Sequence, residues 1–380
     1  MKSIYFDHAA TTPLDEEVLQ KMLPYLTENF GNADSPHAFG RKAMNAVDDA
    51  RCKIAELIHA KPNEVYFTSG GTESGNWALL CGAYAQKTKG KNRILVSSIE
   101  HHAVKEMAEK LKKDGFEVCV IPVDDRGRVA LKDVEALITE DTALVAVMAA
   151  NNETGVIQPV KEIAELAHKY GALFFTDGVQ AAPYMPMDVK EWNVDLLSFS
   201  SHKFYGPKGC GALYIKNGVK AERLIIGGEQ ERGLRGGTLN VPAIVGMAAA
   251  YEKNVATMYA SNEKIERLKK LFLQEIFVLE NVHINGDTAC SLPSVLNLRF
   301  EGVENTAFLY KMDLQGVCLA AGSACASASV KPSHVLLAMG LSDTQAKSSV
   351  RFSFGKNNTE EEIKMATKLT VETVRKLRDF

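Results

Sequence analysis

The stretch Leu196-Leu197-Ser198-Phe199-Ser200-Ser201-His202-Lys203-Phe204-Tyr205-Gly206-Pro207-Lys208-Gly209 runs from apolar residues straight into Ser-Ser-His-Lys and then a Gly-Pro turn. Asp195–Phe199 reads as a buried strand, which puts Lys203 just past its carboxyl end. A lysine amine desolvated at such a place loses basicity and becomes nucleophilic towards a carbonyl. Lys208 is the competing lysine, but its Gly-Pro-Lys-Gly setting reads as an exposed turn.

Short apolar runs surround this segment on both sides. Glu64–Thr68, Arg93–Ser97, Phe116–Ile121, Ala143–Ala149, Ala172–Thr176 and Gly211–Ile215 predict further buried strands. Between them, Ala103–Lys113 and Val160–Tyr170 have helical spacing; Ile163, Leu166, Ala167 and Tyr170 share one face, and Gly171 follows where a left-handed residue commonly ends a helix. This alternation predicts an α/β fold with a mostly parallel seven-stranded sheet flanked by helices. Ligands bind such sheets at the carboxyl ends of the strands.

The remaining strand ends carry polar signals that are each ambiguous alone. Thr68-Ser69-Gly70-Gly71-Thr72-Glu73 fits a tight turn as well as a backbone cradle for a phosphate at a helix N-terminus. His101, in Glu100-His101-His102, is of a kind that more often packs or caps than catalyses, and Asn151-Asn152-Glu153-Thr154-Gly155 is in part a turn. Asp177 in Thr176-Asp177-Gly178-Val179-Gln180 reads either as a helix N-cap or as a carboxylate whose burial requires a cationic partner. Taken together, a Schiff-base lysine, a phosphate cradle and an aspartate for a pyridinium nitrogen are the parts that hold pyridoxal 5′-phosphate.

Beyond about residue 255 the pattern changes. Asn262–Leu279 predicts a charged amphipathic helix, and Val295–Phe300, Val317–Ala321 and Val350–Phe354 predict strands. Thr359–Leu377 predicts a closing helix, with Thr359 as N-cap and Glu362 at capping-box spacing. The expected division is a large cofactor-binding domain, 16–255, and a smaller α+β domain, 1–15 and 256–380, the first residues serving as its neighbour or as a bridge.

With 380 residues, 46% of them hydrophobic and 24% charged, the chain is globular, not disordered or fibrous. A net charge of −3 sets aside nucleic acid and anionic membranes as partners. The first residues lack the apolar core of a signal peptide, and no run approaches the roughly 20 apolar residues of a membrane span, so a cytoplasmic location is expected. The seven cysteines form no C-x-x-C pair and read as free thiols, not as a disulfide framework or zinc site. Cys325 differs from the rest: within Gly322-Ser323-Ala324-Cys325-Ala326-Ser327-Ala328-Ser329 it has only small neighbours and reads as a reactive thiol on a compliant loop. Arg351, in a predicted strand, is placed to grip a carboxylate bidentately.

The assembled pattern resembles the cysteine desulfurases of the NifS/IscS type, within the class V aminotransferases of fold-type I. The resemblance rests on Tyr5–Pro13, Phe30-Gly31-Asn32, Thr68–Ser74, Glu100-His101, Asn151–Glu153, Asp177–Gln180, Ser198–Gly209, Arg235–Thr238, Gly322–Ser329 and Arg351–Ser353, and so covers nearly the whole chain. It implies that Lys203 carries pyridoxal phosphate, Asp177 pairs with the pyridinium nitrogen, and His101 stacks on the ring and shuttles protons. Gln180 and Asn152 would approach the ring hydroxyl and the substrate carboxylate. Gly71, Thr72, Ser200 and His202 would hold the phosphate, with Thr238 reaching the phosphate site of the other subunit of a homodimer. Arg351 would bind the carboxylate of L-cysteine. Cys325 would take the sulfur as a persulfide, leaving L-alanine, and pass it to an acceptor protein for iron–sulfur cluster assembly or for tRNA or cofactor thiolation. No resident metal is implied; Cys325 would at most ligate a cluster iron transiently with a scaffold partner.

The chain departs from the family pattern at Ser201, Gly178, Gly75, Ala320-Ala321 and Ala33-Asp34, none of which removes a catalytic group. It also closes soon after its last helix, without the tail some members use to hold a scaffold protein. Rival readings are a selenocysteine lyase or aminotransferase on the same scaffold, and a non-catalytic interaction surface.

Overall fold

The computed structural model describes residues 3–322 and 331–379. In chain order the first elements are β1 (Ile4–Tyr5), α1 (Glu16–Thr27), α2 (Ala38–Leu57), β2 (Val65–Thr68), α3 (Gly71–Lys87), β3 (Arg93–Ser97), α4 (His102–Lys113) and β4 (Glu117–Ile121). They are followed by α5 (Leu131–Leu137), β5 (Thr142–Ala146), α6 (Val160–Lys169), β6 (Leu173–Asp177), β7 (Leu196–Ser200) and β8 (Gly211–Ile215). The long α7 (Val241–Ile276) then leads to β9 (Val282–Ile284), β10 (Val295–Phe300), α8 (Asn305–Leu314), β11 (Val317–Cys318), α9 (His334–Ala338), α10 (Asp343–Lys347), β12 (Ser349–Ser353) and α11 (Glu360–Arg378).

Strands β2 to β8 are the seven runs expected from the sequence, and they pair in the order β2-β8-β7-β6-β5-β3-β4. Only β8 runs antiparallel to its neighbours; the pairs from β7 to β4 are parallel. Because successive strand residues face opposite ways, each strand serves two cores. Leu95, Val145, Phe174, Leu197 and Phe199 pack with residues of α2, α6 and α7. Ile94, Val96, Leu144, Ala146, Phe175 and Leu196 pack on the other face with α3 and α4.

The chain goes outward from β3 to β4, then returns to lay β5 on the other side of β3, so the winding reverses between β3 and β5. Such a reversal leaves a crevice at the carboxyl ends of the strands. Local hydrogen bonds widen it. Strand β5 was expected to run to Ala149 but stops pairing with β3 at Ala146. Beyond that point Val147 and Ala149 still donate towards β6, to Phe175 and Asp177 carbonyls, whereas Met148 N–H turns to the Glu100 carboxylate at 2.7 Å.

The helix expected at 262–279 is the second half of α7, a single helix of 36 residues that begins at Val241 behind an Asn240 cap. Its buried stripe changes partners along its length. Val241–Tyr251 belong to the core beneath the large sheet, while Ile265, Leu268, Phe272 and Ile276 enter a second core with Phe6, Leu298, Phe300, Phe308, Val350, Phe352 and Val374. That second core carries the antiparallel sheet β12-β10-β9 and the parallel pair β1-β11. Helix α11 opens with the expected capping box between Thr359 and Glu362.

The N-terminal segment bridges the two cores. Asp7 pairs with Ser353 in the small sheet, while Thr12 Oγ1 donates to His202 O (2.9 Å) and accepts from Tyr205 N–H (2.8 Å) just past β7. Among the described residues no helix is long and apolar enough to cross a membrane.

Candidate active site

A cavity of about 190 Å³ opens at the carboxyl ends of β3, β5, β6 and β7. It is lined by Ala9, Ala10, Gly71, Thr72, His101, Met148, Asn152, Asp177, Val179, Gln180, Ser200, His202, Lys203 and Arg351. Every site residue read from the sequence therefore meets in one place, apart from Thr238 and Cys325.

At one end lies the start of α3. Its cap residue, Gly70, sits at φ +149° and offers no side-chain cap, so the first N–H groups of the helix depend on another acceptor. A Cβ on Gly71 would lie 2.9 Å from Val179, so only glycine leaves this approach open. Thr72, Ser200 and His202 face the same end, which continues into a second, more open cavity of about 330 Å³ reaching Lys208. The His202 ring packs its Nδ1 against Thr11 Oγ1 at 3.0 Å. Burial, reinforced by the Lys203 and Lys208 charges, lowers its pKa to about 4, so the ring is neutral at pH 7.

In the middle of the cavity, Lys203 Nζ donates to the carbonyls of Ala9 and Ala10, at 2.5 and 2.9 Å. Asp177, the last residue of β6, is buried; its Oδ1 accepts from Val179 N–H (2.9 Å) and from Ser198 Oγ (3.1 Å). Gln180 Nε2 holds the same Ala9 carbonyl at 2.8 Å. His101 caps α4 with its own side chain: Nδ1 accepts from Ala103 N–H at 3.1 Å, which leaves the ring proton on Nε2. Burial lowers the His101 pKa, opposed by Asp177 and reinforced by Lys203.

At the far end, Arg351 projects from the middle of β12. Its side chain is buried; NH1 donates to Asn152 O (2.8 Å) and NH2 to Asp7 Oδ1 (2.7 Å). Its Nε has no partner among the described residues. A buried cationic donor facing a cavity with capacity to spare is suited to an incoming carboxylate.

Thr238 lines neither cavity and is exposed. Its loop is tied to α3 by a bidentate pair between Arg235 and Glu73, with contacts of 2.8 and 3.1 Å. Cys325 and its neighbours from 323 to 330 lie outside the described residues.

Four contributors were not assigned from the sequence. Ala9 and Ala10 act through backbone carbonyls, which no side-chain pattern reveals. Asp7 pairs with Arg351 across 344 positions of sequence, and Thr11 supports His202. All four fall within Tyr5–Pro13, quoted above for the resemblance but given no role there.

A family model for Aminotransferase class-V matches residues 4–365. The chain belongs to the class V aminotransferase family. Among curated members, the cysteine desulfurase IscS of Clostridium botulinum is 46% identical, covering 100% of this chain and 96% of its own. Among solved structures, a NifS-like protein superposes with a TM-score of 0.92 at 38% identity, covering all of both chains. The structure titled SspA in complex with cysteine gives a TM-score of 0.82 at 34% identity, covering 94% of this chain and 100% of that one.

Class V aminotransferases work with pyridoxal phosphate, and the residues here fit it. The uncapped α3 terminus and its glycines suit a phosphate, buried Asp177 suits a protonated ring nitrogen, and the Lys203 amine lies between them. The glycine at position 178 has a local reason. A Cβ there would lie 2.3 Å from Met187 and 2.7 Å from Leu197, both packed against it.

Proposed function

We propose that this class V enzyme is a cysteine desulfurase that takes sulfur from L-cysteine, releases L-alanine and hands the sulfur on from Cys325. The observation that carries the reading is the meeting of Lys203, Asp177 and Arg351 on one buried cavity at the winding reversal. Similarity to named cysteine desulfurases over the full chain supports it.

Pyridoxal phosphate, when bound, supplies an electron sink for the bonds at the amino acid's Cα. Gly71, Thr72, Ser200 and His202 hold its phosphate, with His202 contributing as a neutral ring. Lys203 would hold it covalently, and its Nζ is the base that would take the Cα proton. Asp177 keeps the ring nitrogen protonated. His101, neutral with its proton on Nε2, covers the ring and relays protons. Gln180 and Asn152 approach the ring hydroxyl, and Arg351 orients the substrate carboxylate together with Asn152. The Cys325 thiolate attacks the substrate sulfur and forms the persulfide S–S bond as the C–S bond breaks; the electron pair of that bond stays with the carbon, which takes a proton and leaves as alanine.

The chain would act as two units, 16–255 around the large sheet and 1–15 with 256–380 around the second core. The separate cores support this division. It would work as a homodimer in which Thr238 completes the partner's phosphate site; its exposure away from its own cavity supports that placement. A sulfur acceptor for iron–sulfur cluster assembly or tRNA thiolation, and a cytoplasmic setting, complete the proposal.

The test is turnover of L-cysteine with alanine and sulfide both quantified, in wild type and in Cys325→Ala. The desulfurase reading expects equal yields from wild type and almost none from the variant. A variant that still makes both at full rate would sink it in favour of a selenocysteine lyase or aminotransferase.

A further inference from the structure

Glu100, immediately before His101, has no part in the scheme above, yet it is the most enclosed carboxyl beside the cavity. It is fully buried. Its Oε1 accepts from Ser97 Oγ at 2.6 Å and from Met148 N–H at 2.7 Å, while Oε2 has no partner among the described residues. Its backbone carbonyl accepts from His334 Nε2 at 3.0 Å. The preceding carbonyl, of Ile99, accepts from Asn151 Nδ2 at 3.0 Å. Below it, Ile99 and Met148 pack with Val335, Leu336 and Met339 in an apolar cluster of their own.

Its side chain thus ties the β3–α4 turn that carries His101 to the end of β5 that leads to Asn152, and its backbone carbonyl ties that turn to α9. It also occupies the place where β5 leaves β3, so the crevice is held open by a side chain instead of a ladder bond. Glu100 is shut off from solvent, and among the described residues both donors to its carboxyl fall on one oxygen.

We infer that Glu100 is a positioning residue for His101, held as a neutral acid that locks the β3–α4 turn to the end of β5. This rests on the reading that His101 faces the cofactor. The surroundings agree with a bound proton. Burial pushes the Glu100 pKa up to about 8; the Ser97 hydrogen bond opposes the rise and the Asp177 carboxylate adds to it. The titratable groups around it are Asp177 at the end of β6, His101 and His102 on its own turn and helix, and His334 from α9. Burial lowers the pKa of both His101 and His334, the latter to about 4, so those rings are neutral and lend no positive charge. Below the Glu100 pKa, Asp177 is then the carboxylate that acts on the ring nitrogen. Above it, a second negative charge arrives beside His101 and Asp177.

The experiment compares wild type, Glu100→Gln and Glu100→Ala as holoenzymes, reading the cofactor's absorption band against pH before any substrate is added. This readout does not depend on desulfurase activity, so failure of the cysteine reading leaves it intact. Wild type should show an inflection near the Glu100 pKa that is absent from Glu100→Gln. At pH 7 the isosteric glutamine should keep kcat within about threefold, while alanine, which unties the turn, should lose about tenfold or more with KM little changed. Two results would overturn the inference. One is an alkaline inflection retained in Glu100→Gln; the other is a glutamine variant as impaired at pH 7 as alanine, which would mean that the carboxylate charge is needed.

Discussion

Two regions deliver charge to the same cavity by opposite means. Strands β6 and β7 present Asp177 and Ser200 to the cavity at their last residues, with Lys203 one turn beyond. Strand β12 instead carries Arg351 at its centre, fully enclosed and dependent on Asp7 and the Asn152 carbonyl. A strand-end charge opens onto the cavity and costs the sheet little. A mid-strand charge must bring its partners with it, because an unpaired buried ion is expensive. The first design therefore reads off local sequence, and the second depends on residues far away in the chain.

The contrast can be broken most sharply at Lys203. Lys203→Ala should abolish the visible band of the bound cofactor and cut turnover by about a thousandfold or more, while leaving the melting temperature of the apoprotein within a few degrees. A large loss of apoprotein stability would show that this strand-end charge is structural after all.

Glu100 tests how deep a strand-end carboxyl can lie before it keeps its proton. With a folded pKa of about 8 against an ordinary value near 4.3, the unfolded chain holds fewer protons between those limits. The stability associated with its proton is full below the unfolded value and is lost as pH rises towards 8, on the order of 3 kcal/mol by pH 7. Denaturant unfolding should accordingly show Glu100→Gln gaining on wild type as pH rises from about 5 to about 8. A constant difference across that range would rule the titration out.

On the other side of the comparison, Arg351→Lys keeps the charge but not the fork. It should lower kcat/KM for L-cysteine by about 50-fold, mostly through KM. Asp7→Asn weakens the pair that supports Arg351 and should cost about 2 kcal/mol in unfolding experiments, reduced from the fully buried case because Asp7 is partly exposed. Smallest of all, Gly178→Ala should cost about 1 kcal/mol, the strain of moving Met187 and Leu197 aside. Were Asp7→Asn neutral, Arg351 would need no imported partner, and the distinction between the two designs would fall.

Legibility followed the same line. The seven strands of the large sheet showed in sequence because each is a short apolar run, and the polar groups that line the cavity showed because they follow those runs. Helix α7 was read short, since its composition changes near residue 255 where the buried stripe passes from one core to the other without a break in the backbone. The end of β5 was read too long, because the Glu100 carboxylate that takes Met148 N–H comes from 48 residues earlier. Ala9 and Ala10 could not be read at all, as their contribution is made by carbonyls that every residue owns. Arg351 could be named as a carboxylate grip, but its ion pair with Asp7 required the fold.

The central claim is that the Lys203 cavity serves to move sulfur from free cysteine onto Cys325. Mass spectrometry of the holoenzyme after incubation with L-cysteine tests it most directly. The account predicts a gain of one sulfur atom mapped to Cys325, formed alongside alanine and lost when an acceptor thiol is added. Alanine formed in equal amount with no sulfur on Cys325, or with sulfur mapped to another of the seven cysteines, would contradict it.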